Sequence, residues 1–283
     1  MRLNTGAYGL DVDLRGGIPS GIIEISGGDA SGKTTLGLSI LREAQLRGDL
    51  TGIVHLDGLP DKEYIYKVGP TETVVVIPER GEVALELVYQ LLLRGAKAIL
   101  IDTVTSVEPR NYNPRFGERD FAARHRLLYH GLSIIRQLAY KKRCSVICLN
   151  QIRTNIPSYS FKSPLDSLFQ DLSDLRLFLK RKSYETEYGT LAKVSIGYKV
   201  NKSLLSTSQS KGSFTLWPEV GIDRNYELLY YLIKSGKLKK SGAYFVPASG
   251  RSLGPGYMTA SEQIGGDYEH YRNLATYKGE VTT

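Results

Sequence analysis

The segment Gly27-Gly28-Asp29-Ala30-Ser31-Gly32-Lys33-Thr34 has the spacing G-x-x-x-x-G-K-[ST], which suits the capture of a nucleotide's phosphates. Glycines let backbone N–H groups turn towards phosphate oxygens, and the start of a helix adds its partial positive charge. Lys33 neutralises the β- and γ-phosphates, Thr34 offers a hydroxyl to magnesium, and Thr35 stands next to it in the same nucleotide-binding segment. ATP and Mg2+ are the implied ligands. A glycine-rich turn arising by chance is the alternative, but this one follows an apolar strand pattern and opens a helical one, the context the motif requires.

Asp102 closes the apolar run Ile99-Leu100-Ile101, and a carboxylate at the C-terminal end of a strand can order magnesium, usually through water. Alone it would read as a helix cap. Downstream of a phosphate loop, the magnesium reading is favoured. Asp57 ends a second such run after His55-Leu56, and two readings stand for it. It either points into the same crevice and polarises an attacking water, or caps the turn at Gly58. His125 and His130 fall in a helical pattern and are read as packing or surface residues rather than ligands.

Short apolar runs must hold these side chains in place. Gly21-Ile22-Ile23-Glu24-Ile25, Gly52-Ile53-Val54-His55-Leu56, Val74-Val75-Val76-Ile77, Ala98-Ile99-Leu100-Ile101 and Val146-Ile147-Cys148-Leu149 are predicted as buried parallel strands. Helical patterns separate them, so the class expected is α/β, a doubly wound sheet. Val83, Leu87, Val88, Leu91 and Leu92 predict one face of a helix from about Gly81 to Gly95, and a longer helix runs from about Phe121 to Lys142. From Leu175 the runs Leu175–Leu179, Ala192–Ile196 and Ser213–Trp217 are strand-like without helices between them, which predicts antiparallel strands extending the sheet. After Gly221 comes an amphipathic helix with Leu228, Leu229, Leu232 and Ile233, then a tyrosine- and glycine-rich, partly irregular tail. The expected division is a core over 1–221 and a small C-terminal unit over 222–283.

Composition agrees with this plan. A chain of 283 residues with 41% hydrophobic and 23% charged side chains supports one good core plus an appendage. No stretch approaches the roughly 18 uninterrupted apolar residues of a membrane helix, and the N-terminus lacks the apolar centre of a signal peptide. The protein is expected to stay where it is made. The two cysteines, Cys144 and Cys148, lie in one apolar run and read as small buried strand residues, not as a disulfide or zinc framework. A net charge of +8 fits a polyanionic partner and fits a solvated basic surface almost as well.

Three further segments carry a resemblance. Asn4-Thr5-Gly6, Leu10-Asp11 and Gly17-Ile18-Pro19-Ser20-Gly21 lead into the phosphate loop. Pro78 to Glu86 and, above all, Asn150-Gln151-Ile152-Arg153 follow it. Together they resemble the RecA family of recombinases, in its bacterial form, from about Asn4 to the helix near Tyr230. The resemblance implies a RecA-like ATPase core and assigns Gln151 to sensing the γ-phosphate and relaying it to the DNA loop that follows. Asp57 matches the family's catalytic glutamate, one methylene shorter. Asp61 and Tyr64 resemble its adenine contacts, and Trp217 would close that pocket from the other side, although a core role is the plainer reading of a lone tryptophan. Lys202 matches one of two lysines that reach a neighbouring subunit's ATP; Val200 holds the other position, with Lys199 displaced by one.

Two segments resemble the family's DNA loops: Arg110 to Arg119, and Thr154 to about Phe169. Arg115, Arg119, Arg124, Arg153 and Lys162 are the expected phosphate contacts, and Tyr159 and Phe161 the expected stacking residues. The implied activity is a DNA-stimulated ATPase that binds single strands and exchanges them with homologous duplex. It implies a homo-oligomer, filament or ring, with accessory proteins, in the cytoplasm on nucleoid DNA. The chain starts at the core, without the helix and strand by which family members dock on their neighbours, and so resembles a minimal form such as a virus or mobile element carries. Two other functions remain open: a motor or regulatory switch of the same fold, and a nucleotide-gated DNA-binding module with little turnover.

Overall fold

The computed structural model describes residues 2–58, 61–110, 121–152, 165–187, 190–203, 210–247 and 252–276. Strand and helix alternate through the first half as α1 (Tyr8–Asp13), β1 (Gly21–Gly27), α2 (Lys33–Gln45), β2 (Thr51–His55), α3 (Lys62–Val68), β3 (Val74–Val76), α4 (Gly81–Leu93), β4 (Ala98–Asp102), α5 (Phe121–Lys142), β5 (Ser145–Gln151) and α6 (Asp166–Leu172). Next come β6 (Leu175–Glu187), β7 (Thr190–Ser203) and β8 (Lys211–Leu216), then α7 (Arg224–Lys234), β9 (Leu238–Ser241), β10 (Tyr244–Pro247), α8 (Gly256–Gly266) and α9 (Tyr268–Thr276).

One sheet of eight strands runs in the order β3-β2-β4-β5-β1-β6-β7-β8. It is parallel from β3 to β6, and β7 and β8 add to it antiparallel. This is the mostly parallel, antiparallel-extended α/β sheet that the apolar runs predict. The runs are nearly continuous because helices cover both faces of the sheet, and alternate side chains of one strand enter different cores. In β1, Ile23 and Ile25 join the cluster under α2, while Ile22 joins the one under α4 and α5.

Two expectations need correction. β3 is a strand but not a buried one: it forms the sheet's edge, with Val74 and Val75 exposed, because only β2 pairs with it. Val83 is likewise exposed, and α4 buries Ala84, Leu85, Val88, Leu91 and Leu92 instead. The helix starts at Gly81 as expected, where the glycine packs tightly on Val107 and the Glu108 carbonyl.

The segment before β1 is fastened as well. Leu3 and Ile18 bridge through paired backbone hydrogen bonds of 3.0 and 2.8 Å. Gly17 makes that possible: at φ +105° a Cβ there would lie 2.1 Å from the Leu3 carbonyl oxygen. The tail beyond Gly221 is more regular than expected, with a β9–β10 hairpin and two helices around a third apolar cluster that also takes in Tyr8 of α1. Cys144 and Cys148 are buried free thiols, and burial pushes the Cys144 thiol up to about 12. Among the described residues no helix is long and apolar enough to cross a membrane.

Candidate nucleotide-binding site

In this strand order β5 lies between β1 and β4, so three functional segments leave the sheet side by side at its C-terminal edge. That edge is where parallel sheets place their ligands. Gly27 ends β1 in register with Gln151 of β5, and Asp102 ends β4 in register with His55 of β2.

The phosphate loop turns directly from β1 into α2. Ala30 and Gly32 take positive φ, at 53° and 85°, and no side chain caps the first turn of α2. Its N–H groups therefore remain available to an anion. Ser31 Oγ, inside the loop, is buried with no hydrogen-bond partner among the described residues. Lys33 Nζ donates to its own loop at the Gly28 carbonyl, 2.7 Å away. Burial holds the Lys33 amine below its ordinary value, against the opposing pull of Asp29 and Asp102. An orphaned hydroxyl, uncapped amides and a desolvated ammonium fit a phosphate chain.

Thr34 Oγ1 donates to Asp102 Oδ2 at 3.0 Å, which joins the two predicted magnesium ligands. Burial raises the Asp102 carboxyl, the Thr34 hydrogen bond and His55 lower it, and Asp57 raises it further. Asp57 therefore stands within electrostatic reach of Asp102. It lies two residues past the end of β2 rather than on the strand, and is exposed. Its backbone carbonyl is 3.0 Å from His55 Nε2. Mg2+ bound by Thr34 and, through water, by Asp102 would supply charge neutralisation at the β- and γ-phosphates.

The presumed adenine side is assembled from α3 and the turn after β8. Asp61 Oδ1 caps α3 by accepting from Tyr64 N at 3.0 Å, and the Tyr64 hydroxyl is 2.6 Å from Thr35 Oγ1. The Trp217–Gly221 turn closes through backbone bonds of 2.7 Å in both directions and packs against Thr35 and Val68. The Trp217 indole meets Tyr226 edge-on at 5.3 Å, and its Nε1 is buried without a partner among the described residues.

Gln151 Nε2 donates to Asp29 Oδ1 of the phosphate loop, and Ile152 N donates to the Gly27 carbonyl at 3.1 Å. The amide that ends β5 is thus tied directly to the phosphate loop. Lys202 donates within its own chain, to the carbonyl of Gln170 at 2.7 Å at the end of α6.

The DNA residues divide differently. Arg115, Arg119, Arg153, Tyr159, Phe161 and Lys162 lie outside the described residues. Arg124 is corrected: it is 4% exposed within α5 and ion-paired with Glu108 of the stretch after β4, so a contact within the fold claims it. The second loop is also shorter than expected, because Leu165, Leu168 and Phe169 are buried and the last two belong to α6. Sequence reasoning missed the partners of Glu24, although a lone carboxylate in an apolar strand signals a buried charge that needs one.

The family model of the RecA N-terminal domain matches residues 1–217. Protein RecA of Nautilia profundicola is 33% identical over 274 residues, covering 92% of this chain and 77% of that protein. Protein RecA of Solidesulfovibrio magneticus is 32% identical over 297 residues, covering 96% and 82%, and that of Sinorhizobium medicae 32% over 288 residues, covering 97% and 78%. With a phosphate loop, a strand-end carboxylate and a strand-end amide converging on one crevice, and with these relatives along nearly its whole length, the chain belongs to the RecA family of recombinases.

Proposed function

We propose that the protein is an ATPase stimulated by single-stranded DNA, which pairs that strand with homologous duplex and exchanges it. One observation carries the reading. Gln151 touches the phosphate loop through Asp29 and is separated by one residue from the segment 153–164 expected to hold DNA. An amide that exchanges Asp29 for a γ-phosphate would move the base of that segment.

In this reading Lys33, Thr34 and Asp102 hold ATP and Mg2+, Asp57 positions the attacking water, and Tyr64, Asp61 and Trp217 surround the adenine. Lys202 leaves the carbonyl of Gln170 to complete a neighbour's site in a head-to-tail filament or ring. Residues 1–221 act as the ATPase core and 222–283 as a small accessory unit, in the cytoplasm on nucleoid DNA with accessory proteins. The test is phosphate release with and without single-stranded DNA, followed by strand exchange with homologous and heterologous duplex. Release indifferent to DNA would favour a motor or switch of the same fold.

A second reading has one observation behind it. Asp57 is exposed and beyond its strand, with a side chain one methylene shorter than a glutamate's. That placement suits a DNA-binding module gated by ATP with little turnover, which would show ATP-dependent DNA binding without phosphate release.

A further inference from the structure

Behind the phosphate loop, four polar side chains form an unbroken chain across three strands and a helix. Asn150, beside Gln151 in β5, is fully buried, and its Nδ2 donates to Glu24 Oε1 at 2.6 Å. Glu24 sits in β1, three positions before Gly27, and is 1% exposed. Its other oxygen accepts from Arg176 Nε of β6, and Arg176 Nη2 donates to Asp166, the first residue of α6.

The ends of this chain explain its interest. Asn150 precedes the segment 153–164 by a few residues, and Asp166 follows it after Leu165. The chain therefore ties both feet of that segment to β1, the strand that delivers the phosphate loop. Its far foot, α6, is also held at its other end by Lys202 on the Gln170 carbonyl.

Stability alone does not account for such an arrangement. A buried ion pair replaced by apolar groups of like volume is often no less stable, so what Glu24 and Arg176 supply is geometry. Each member has its partners fixed in direction, so the chain links the β1–β5 pair to Asp166 without a break.

We propose that Asp166 is a positioning residue which, through Arg176 and Glu24, couples nucleotide at the phosphate loop to DNA on the segment 153–164. The inference rests on the function proposed above and names its regulation. Asp166 is the suitable member to alter, because its side chain is 40% exposed and its loss leaves Arg176 still paired with Glu24. No buried charge is orphaned.

The experiment measures binding of a labelled oligo-dT to the full chain, with Mg2+, with and without a non-hydrolysable ATP analogue. The ratio of the two affinities is the coupling. For the parent a ratio between about 5 and 150 is expected. Asp166→Ala should lower it about fivefold while leaving the melting temperature and the analogue's affinity without DNA nearly unchanged. Asp166→Glu, which can still reach Arg176, should restore it. An unchanged ratio in a folded Asp166→Ala chain overturns the inference, as does an equal loss of analogue affinity with and without DNA, which would mark a plain structural defect. A parent ratio of one overturns the proposed function and this inference with it, so the two failures are distinguishable. If Asp166→Ala does not fold, Asp166→Asn takes its place, with the same outcomes read the same way.

Discussion

Thr34 Oγ1 lies 3.0 Å from Asp102 Oδ2, a contact between the first turn of α2 and the end of β4, 68 residues apart. Two oxygens brought together in this way suit a divalent cation. Lys33→Ala should lower ATP turnover by at least about a hundredfold, as expected for losing a charge on the transferring phosphate, and Asp102→Ala should lose magnesium-dependent turnover. Phosphate release across a magnesium titration checks both, and parent-like release in either variant would remove that residue from the site.

Asp57 lies within electrostatic reach of Asp102, whose carboxyl it raises. Asp57→Asn is expected to reduce turnover by about a hundredfold with nucleotide affinity retained, the size of effect ordinary for general-base catalysis. Asp57→Glu should keep or raise it. Equal single-turnover rates in the parent and the Asn variant would leave Asp57 as a turn residue only.

Lys202 rests on its own chain's Gln170 carbonyl, and the proposed role needs it to act on another's ATP. Lys33→Ala and Lys202→Ala should each be nearly inactive, yet regain activity when mixed. Random pairing makes roughly a quarter of head-to-tail interfaces competent. Absence of recovery, with both variants shown by sedimentation to assemble on DNA, would confine Lys202 to its own sheet.

Glu227, at 4% exposure, accepts from the Thr215 N–H at 2.8 Å, and burial pushes its carboxyl up to about 8; burial likewise pushes Asp11 up to about 7. Between the ordinary carboxylate value of about 4 and these raised values, the folded chain holds more protons than the unfolded one. The stability they contribute is present below about pH 4 and is lost as pH rises through about 7 to 8. Glu227→Gln keeps an acceptor for Thr215 and carries no charge. It should raise the melting temperature by a few degrees at about pH 8 and flatten its dependence on pH. A variant with the parent's slope would refute this.

Arg115, Arg119 and Lys162 are the expected contacts to DNA phosphates. Removing any one should reduce the slope of log affinity against log salt by about 0.7, since one fewer counterion is released from single-stranded DNA. Tyr159→Ala or Phe161→Ala should weaken binding and leave the slope alone, because stacking displaces no counterion. Filter binding across a salt series separates the two; identical slopes in all variants would return the three cations to the solvated surface.

Some of this protein is determined by local pattern. The phosphate loop is a contiguous backbone device, so its eight residues and the flanking strand and helix are legible without the rest of the chain. The apolar runs give the parallel strands, because burial on both faces leaves no place for polar residues. The same logic fails at β3, where being at the edge of the sheet, a property of the assembled order, exposes Val74 and Val75, and at Val83, which α4 leaves exposed while it buries Ala84, Leu85, Val88, Leu91 and Leu92. Arg124 shows the converse: a basic side chain beside a presumed DNA loop is claimed by Glu108 sixteen residues earlier, a partner that only the packing of α5 supplies. Strand order itself is invisible in the sequence, yet it alone sets β5 between β1 and β4 and so places Gln151 between the phosphate loop and Asp102. Glu24, Asn150, Arg176 and Asp166 lie up to 152 residues apart, and only the tertiary fold joins them, because each buried polar group must find its partner in space wherever the chain has put it.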